Sequence, residues 1–246
     1  MHPNFRTGMR RVVLISCLFV VPFYLFGQGE EKRVKASYSF NLDLLSSHLW
    51  RGFKNGNSYS IQPTISLSHK NFQIGAWAAF AGNDSYFEVD LYTEYNFKSV
   101  TISLYDYYCP QSTQMNGFTE LRKHHTKHTI DAMLTWKPSK MPFKILASTM
   151  VFGDDISGTH QKQTYSTYIE PALTYSHNRF SGEVFAGYTP FQGYYANKPS
   201  FVNLGVAIKY NFKIGRLNLP VQSKVSHNPY LKSTWYMLGV SLAVKR

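Results

Sequence analysis

Apolar and polar residues alternate along most of the chain after residue 35. In residues 37–44 the odd positions are Ser, Ser, Asn and Asp, and the even positions are Tyr, Phe, Leu and Leu. A period of two places neighbouring side chains on opposite faces of a β-strand. Twelve segments share this pattern, at residues 37–44, 59–68, 72–81, 86–97, 100–108, 128–136, 143–152, 164–176, 179–188, 201–212, 216–226 and 234–244. The pattern therefore predicts an all-β fold.

The two faces of these strands suit different environments. One face of residues 86–97 carries Glu88, Asp90 and Glu94, and a dry protein core does not accept such a face. In residues 201–212, by contrast, every second residue from Val202 onwards is apolar. An apolar surface of this length is not expected to face water. A closed barrel can meet lipid without unpaired backbone edges. We therefore predict a transmembrane antiparallel β-barrel of about 12 strands, with a secreted β-sandwich as the alternative.

Connection lengths agree with such a barrel. Short connections lie near residues 69–71, 96–99, 176–178 and 213–215, and long polar ones cover residues 109–127, 153–163 and 189–200. Outer-membrane barrels have short periplasmic turns and longer outer loops, so the long connections are the predicted exterior loops. Aromatic residues near strand ends are expected to form interfacial girdles. They are Tyr107, Tyr108, Trp136, Tyr175, Tyr188, Tyr210, Trp235 and Tyr236.

The first 28 residues have the layout of a secretory signal. Basic residues precede an apolar run at residues 12–27, and no acidic residue occurs before Glu30. A membrane-spanning helix needs about 20 apolar residues, and no stop-transfer pattern follows the run. We predict a cleaved signal peptide at residues 1–28, a single barrel domain at residues 29–246, and a location in the bacterial outer membrane.

Composition fits export and argues against nucleic acid as a partner. Charged residues make up 16% of the chain, against roughly 25% in soluble globular domains. The formal net charge is +12, but Lys and Arg are scattered and form no basic helix or zinc-finger spacing. Removal of the signal peptide would leave Cys109 as the single cysteine, so no intrachain disulfide is expected.

Several segments together resemble a known family. Residues 47–53 read Ser-His-Leu-Trp-Arg-Gly-Phe at the end of the first strand, and residues 60–63 read Ser-Ile-Gln-Pro. This order is similar to the opening of a family of small exported β-barrels of unknown function, found as hypothetical proteins in Bacteroidota and Proteobacteria. Residues 168–171 and the closing strand at residues 235–242 are similar too. The resemblance implies an outer-membrane barrel that is inserted by the barrel-assembly machinery and contacts outer-membrane lipid and lipopolysaccharide.

Charged residues on the polar parity are candidates for the barrel lumen. They are Asp43, Arg51, Glu88, Asp90, Glu94, Asp131, Glu170, Glu183, Lys209 and Lys224. Such charges either pair across the lumen or select permeant ions. Eight strands enclose a filled interior and 16 to 18 an aqueous channel, so a twelve-stranded barrel is compatible with a plug or a narrow pore.

Two classes of function follow from this lumen. Seven acids against three bases favour a narrow channel for small cations or polar solutes. The alternative is a non-transporting, surface-exposed barrel that binds a glycan or a partner through its outer loops, for example through Phe191, Tyr194, Tyr195 and Lys198 in residues 189–200.

Strand alternation also gives a role to two neighbouring residues. Arg51 shares the polar parity of Asp43, so we expect its guanidinium to pair with Glu88 or Glu170 and to hold the first strand in register. Trp50, on the other parity, is expected to face lipid.

No catalytic or metal constellation is complete in the sequence. His124, His125 and His128 have spacing that a helix could use for a metal, but basic neighbours argue against this and favour a solvated loop or contact with lipid phosphates. Asp154 and Asp155, with His160 nearby, lack the spacing of a hydrolytic pair or a calcium site. We expect no enzyme activity, no metal and no cofactor.

Overall fold

The computed structural model describes residues 35–110, 117–122, 125–157, 162–215 and 217–245. The strands in these ranges are β1 (Ser37–Leu45), β2 (His48–Trp50), β3 (Phe53–Asn55), β4 (Ser60–His69), β5 (Phe72–Ala81), β6 (Phe87–Phe97), β7 (Val100–Tyr108), β8 (His128–Trp136), β9 (Phe143–Gly153), β10 (Ile156–Ser157), β11 (Lys162–Gln163), β12 (Thr167–His177), β13 (Phe180–Thr189), β14 (Ser200–Ile214), β15 (Leu217–Asn228) and β16 (Ser233–Lys245). The predicted signal peptide, residues 1–28, lies outside the described residues. Across the described ranges, no helix has the length and apolar character needed to cross a membrane.

Twelve of these strands close into one barrel. The order around the ring is β1-β16-β15-β14-β13-β12-β9-β8-β7-β6-β5-β4, while β2–β3 and β10–β11 form separate two-stranded sheets. Strand β1 pairs antiparallel with β4 on one side and with β16 on the other, so the ring has no unpaired edge. The predicted twelve-stranded antiparallel barrel is therefore confirmed, and the short sheets β2–β3 and β10–β11 are additions that the pattern missed.

The connections differ between the two ends of the barrel. At one end, called here the turn end, two-residue turns follow β4, β6 and β12, and Lys70, Lys98 and Asn178 in these turns have positive φ angles. Positive φ is a property of the tight turns that match strand twist in hairpins. The long connections after β7, β9 and β13 leave the opposite end, called the loop end. The six residues between β8 and β9 at the turn end outnumber the five between β5 and β6 and the four between β15 and β16 at the loop end, so the predicted alternation of short and long connections holds only in part.

The two faces of the barrel wall are chemically distinct. Large apolar side chains such as Phe40, Leu173 and Val184 are exposed on the outside, the last two at 66% and 59%. On the inside, Gln62 and Ser241 are buried polar residues. The sequence alternation thus becomes an apolar outer wall around a polar lumen, as predicted.

One bulge changes the face of a single residue in β14. Asn203 pairs with Gly187 and Phe201 pairs with Tyr188, so Val202 is an extra residue in the ladder. A bulge of this kind turns the inserted side chain to the other face. Val202 is fully buried inside the barrel, and its predicted outward orientation is wrong.

The predicted aromatic girdles hold only in part. Trp136, Tyr175 and Tyr236 are exposed outside the barrel as expected. Tyr107 instead points into the lumen, where its hydroxyl donates to Asp131 Oδ2 at 3.1 Å. Trp235 also faces inward, since Lys54 Nζ of β3 lies 5.9 Å from its ring centre. For these two residues, position near a strand end was not enough to fix the face.

Candidate functional site

A short hairpin made of β2 and β3 enters the barrel from the loop end. Its strands pair through His48 with Asn55 and through Trp50 with Phe53, which leaves Arg51 and Gly52 as a two-residue turn. Both turn residues have positive φ, 45° and 87°, as a type I′ hairpin turn requires. We call residues 48–55 the Arg51 hairpin. The predicted position of these residues at the end of the first strand is wrong, because β1 ends at Leu45.

Arg51 is anchored to one wall of the barrel. Its Nη2 lies 2.8 Å from Asp131 Oδ2 on β8 and 3.2 Å from the sulfur of Met133, and Nη1 donates to the hydroxyl of Tyr195. Its guanidinium also lies over the ring of Tyr168, 5.0 Å from the ring centre. Arg51 is 8% exposed and Asp131 is fully buried. Arg51 and Asp131 thus form a desolvated ion pair, in which the loss of either residue would leave the other charge buried and uncompensated.

The turn of the Arg51 hairpin rests on the opposite wall. Asn228 Nδ2 of β15 donates to the carbonyl of Gly52 at 3.2 Å, and a Cβ on Gly52 would come within 1.8 Å of the Val202 carbonyl oxygen. In the ring, β15 is six positions from β7, and the Tyr107 ring of β7 contacts Trp50 at 5.8 Å. The hairpin therefore reaches from one side of the lumen to the other.

The base of the hairpin is held by His48. Its Nδ1 lies 2.9 Å from Gln62 Nε2, and its Nε2 lies 3.7 Å from Glu88 Oε2. Burial, helped by the positive charge of Lys224, lowers the pKa of His48 to about 4. His48 is therefore neutral at pH 7 and places no positive charge beside Glu88.

The connection between β13 and β14 completes the obstruction at the loop end. Tyr195 and Ala196 are buried in one apolar cluster with Met150, Tyr168 and Val202, against which Trp50 and Phe53 pack. Burial raises the pKa of the Tyr195 hydroxyl, although the nearby Arg51 charge acts in the other direction. Tyr195, predicted to lie in an exterior binding loop, is an internal part of the obstruction.

Two expectations about the hairpin residues are corrected. Arg51 faces the lumen as predicted, but its partner is Asp131 and not Glu88 or Glu170, because the hairpin turn carries it across to β8. Trp50 does not face lipid: its ring contacts Tyr107, Tyr194 and Tyr195 inside the barrel. Strand parity fails for Trp50 because residues 48–50 belong to the inner hairpin and not to the wall.

The other predicted acids lie on the inner face of the wall. Glu88 accepts from the Tyr86 hydroxyl at 2.5 Å and from the Cys109 thiol at 3.2 Å; burial raises the pKa of that thiol. Each of the other acids accepts at least one hydrogen bond: Glu94 from Tyr105 at 2.9 Å, Glu170 from Asn203 at 3.0 Å, Asp43 from Asn41 at 2.9 Å, and Glu183 from Lys144 at 2.7 Å.

The basic side of the lumen lies on other strands. Lys224 lies 5.0 Å from the ring centre of Phe185. A cavity of about 710 Å³ near the turn end is lined by Lys209, Lys224 and Glu183. Lys144, which the sequence analysis omitted, pairs with Glu183; its place between Phe143 and Ile145 was the available signal. Glu183 thus lies among the lysines of this part of the lumen, and the charged side chains do not form a uniform ring.

A second cavity, of about 300 Å³, lies between the Arg51 hairpin and the wall formed by β4 to β7. It is lined by His48, Trp50, Thr64, Trp77, Glu88, Asp90, Tyr92, Tyr105 and Tyr107. Asp90 is 5% exposed, and within the described residues its Oδ1 has no hydrogen-bond partner. This cavity combines aromatic walls with two buried carboxyl groups.

The loops outside the lumen use their polar residues for structure. Asp155 accepts from Thr164, Gln163 and from the backbone and hydroxyl of Ser166, so its carboxylate ties the end of β9 to the segment between β11 and β12. Lys127 Nζ pairs with Asp154 at 2.9 Å. His160 lies outside the described residues.

The basic loop before β8 is anchored by His128. Its Nδ1 lies 2.8 Å from Asp106, and its Nε2 lies 2.7 Å from the Phe118 carbonyl oxygen. Both ring nitrogens are therefore engaged. His124 lies outside the described residues, and among those described no group of three or more His, Cys, Asp or Glu side chains could hold a metal ion.

Comparisons with known proteins give little beyond this geometry. No family model and no curated protein matches the chain. A solved structure from "Unveiling the Mechanism Behind the in-meso Crystallization of Membrane Proteins" is 9% identical, with 85% of this chain and 83% of that chain covered and a TM-score of 0.49. A likeness at this level carries no argument about function. Membership of the small exported β-barrel family therefore stays a prediction.

Proposed function

We propose that the protein spans the bacterial outer membrane and that its lumen is a narrow, normally closed path for small cations or polar solutes. The observation that supports this best is the Arg51 hairpin, a short segment that crosses the lumen from one wall to the other. Cavities of about 300 and 710 Å³ lie beside and below it, so side chains do not fill the interior. Twelve strands lie between the eight that side chains can fill and the 16 to 18 that leave an aqueous channel, and the unfilled space agrees with a narrow path.

The alternative, a barrel that binds a glycan or partner through its outer loops, has less support. Tyr195 is buried and occupied by Arg51. In the same connection Phe191 and Tyr194 are exposed at 64% and 54%, but Tyr194 packs its ring against Trp50 and Phe53 of the hairpin, which leaves Phe191 as the exposed ring that does not contact the hairpin among the predicted loop residues. The absence of enzyme activity remains a prediction.

Placement in a membrane is supported by the outer wall, and it can be tested at Val184. This residue lies in the middle of β13 and is exposed outside. Val184→Arg is expected to lower the free energy of unfolding in lipid by about 2–4 kcal/mol, because it places a charge against the hydrocarbon. Gln222→Arg is the matched control, since Gln222 lines the larger cavity. Reversible urea unfolding in vesicles measures both; equal effects of the two substitutions would contradict the membrane placement.

Conduction is tested with the purified protein in planar bilayers under a salt gradient. We expect brief, small conductance steps, because the hairpin obstructs the lumen, and a reversal potential that indicates cation preference. Glu88 and Asp90 are the reason for the preference, since Arg51 is already paired with Asp131. Anion preference would show that the acidic sector is not on the path. If neither the wild type nor a variant without the hairpin shows conductance steps, the proposed path through the lumen is wrong.

A further inference from the structure

We propose that the cavity beside the Arg51 hairpin is a binding site for a small organic ammonium ion. The proposal rests on the proposed function, because it names the class of solute that the lumen would accept. The site is the 300 Å³ cavity between the hairpin and strands β4 to β7.

The charge of the cavity favours a cation. Glu88 and Asp90 project from the same face of β6 and both line the cavity, whereas its described lining contains no Lys or Arg side chain. His48 is neutral at pH 7 because burial lowers its pKa to about 4. Two buried carboxyl groups without a cation cannot both ionise at low cost, so a bound cation would compensate them.

The Oδ1 atom of Asp90 gives a second observation that points to a ligand. Its side chain is at least nine-tenths buried and lines the cavity, yet Oδ1 lacks a hydrogen-bond partner among the described residues. Buried polar atoms are normally satisfied. An N–H or polarised C–H group of a bound ammonium ion would supply that missing partner.

The aromatic walls favour an organic cation over a metal ion. Trp50, Trp77 and Tyr107 line the cavity, and the rings of Tyr92 and Tyr105 stack at 5.0 Å beside them. Ring faces attract ammonium groups, and aromatic cages recognise quaternary ammonium. Hard metal ions instead require several oxygen ligands, which these walls do not provide. The volume is at the small end of ligand sites.

Calorimetric titration of the detergent-solubilised full barrel tests the proposal. Choline chloride is the probe, and 3,3-dimethylbutan-1-ol, its neutral carbon analogue, is the matched ligand. We expect choline to bind at least about tenfold more tightly than the neutral analogue, since only the cation gains from the carboxylates and ring faces. Equal affinity of the two ligands, or tighter binding of calcium chloride than of choline, would overturn the proposal.

Variants locate the site. Asp90→Asn is expected to weaken choline binding by about tenfold, and Trp77→Leu should weaken it by a similar factor because it removes one ring face. Asp43→Asn is the control, since Asp43 is a lumen carboxylate outside this cavity. Each variant is first checked for heat-modifiable gel migration, so a misfolded protein is recognised. If folded Asp90→Asn or Trp77→Leu binds choline as the wild type does, the site is wrong.

The two proposals fail separately. Conductance without selective choline binding overturns the ammonium site alone. Selective choline binding without conductance in any form of the protein overturns the conduit alone and leaves a ligand-binding barrel.

Discussion

Replacement of Arg51 by alanine is expected to lower the free energy of unfolding by about 3–5 kcal/mol, because removal of one partner from a buried ion pair leaves the other charge uncompensated. The stranded partner is Asp131, which is fully buried and keeps only the Tyr107 hydroxyl as a donor among the contacts described above. The loss also removes the Arg51 contact with Tyr195. Denaturant unfolding in vesicles measures the change.

Two comparisons separate the ion pair from other effects. Arg179→Ala removes an exposed arginine in a turn-end connection and is expected to change stability by less than about 0.5 kcal/mol. Adding Asp131→Asn to Arg51→Ala should restore part of the loss, because the uncompensated carboxylate is then absent. If Arg51→Ala lowers the free energy of unfolding no more than Arg179→Ala does, the buried ion pair does not hold the hairpin in place.

Gly52→Ala is expected to displace the turn of the hairpin. The φ angle of Gly52 is 87° and its Cβ would lie 1.8 Å from the Val202 carbonyl oxygen, a backbone atom that cannot rotate away. A left-handed conformation costs an L-residue roughly 1–2 kcal/mol, and overpacking typically adds about 1–3 kcal/mol. Displacement should also break the Asn228 contact and lengthen single-channel openings.

Gly215→Ala is the matched control for this effect. Gly215 also has positive φ, 61°, but no atom of the described residues lies within 4 Å of an added Cβ. It should show the conformational cost alone, with wild-type conductance. Equal stability and conductance of the Gly52→Ala and Gly215→Ala variants would mean that the hairpin turn does not press against β14.

The sequence predicts the wall of this barrel better than its contents. Period-two alternation identifies the twelve wall strands because every residue there must face either lumen or exterior. The Arg51 hairpin escapes this logic, since its strands have only three residues each, too few to show a period of two. The Arg-Gly pair between Trp50 and Phe53 was the available signal, since such a turn needs positive φ at both positions.

The alternation of apolar and polar residues also cannot predict which side chains meet across the lumen. Arg51 and Asp131 are separated by 80 positions in the sequence, and which acid meets the guanidinium depends on how the strands are arranged around the ring. The face of Val202 depends on one inserted residue in β14. Alternation gives a residue its face, but neither its partner nor the position of a bulge.

The most direct test of the account is single-channel conductance of the wild type beside a variant in which residues 48–55 are replaced by a short Gly-Ser linker. The hairpin crosses the lumen from β15 to β7 and β8, so its removal is expected to convert brief, small steps into long-lived ones of at least about tenfold larger conductance, in the range between a filled eight-stranded barrel and an open porin. Correct folding of the variant is verified by heat-modifiable migration. Identical conductance of the two folded proteins would contradict closure of the lumen by the Arg51 hairpin.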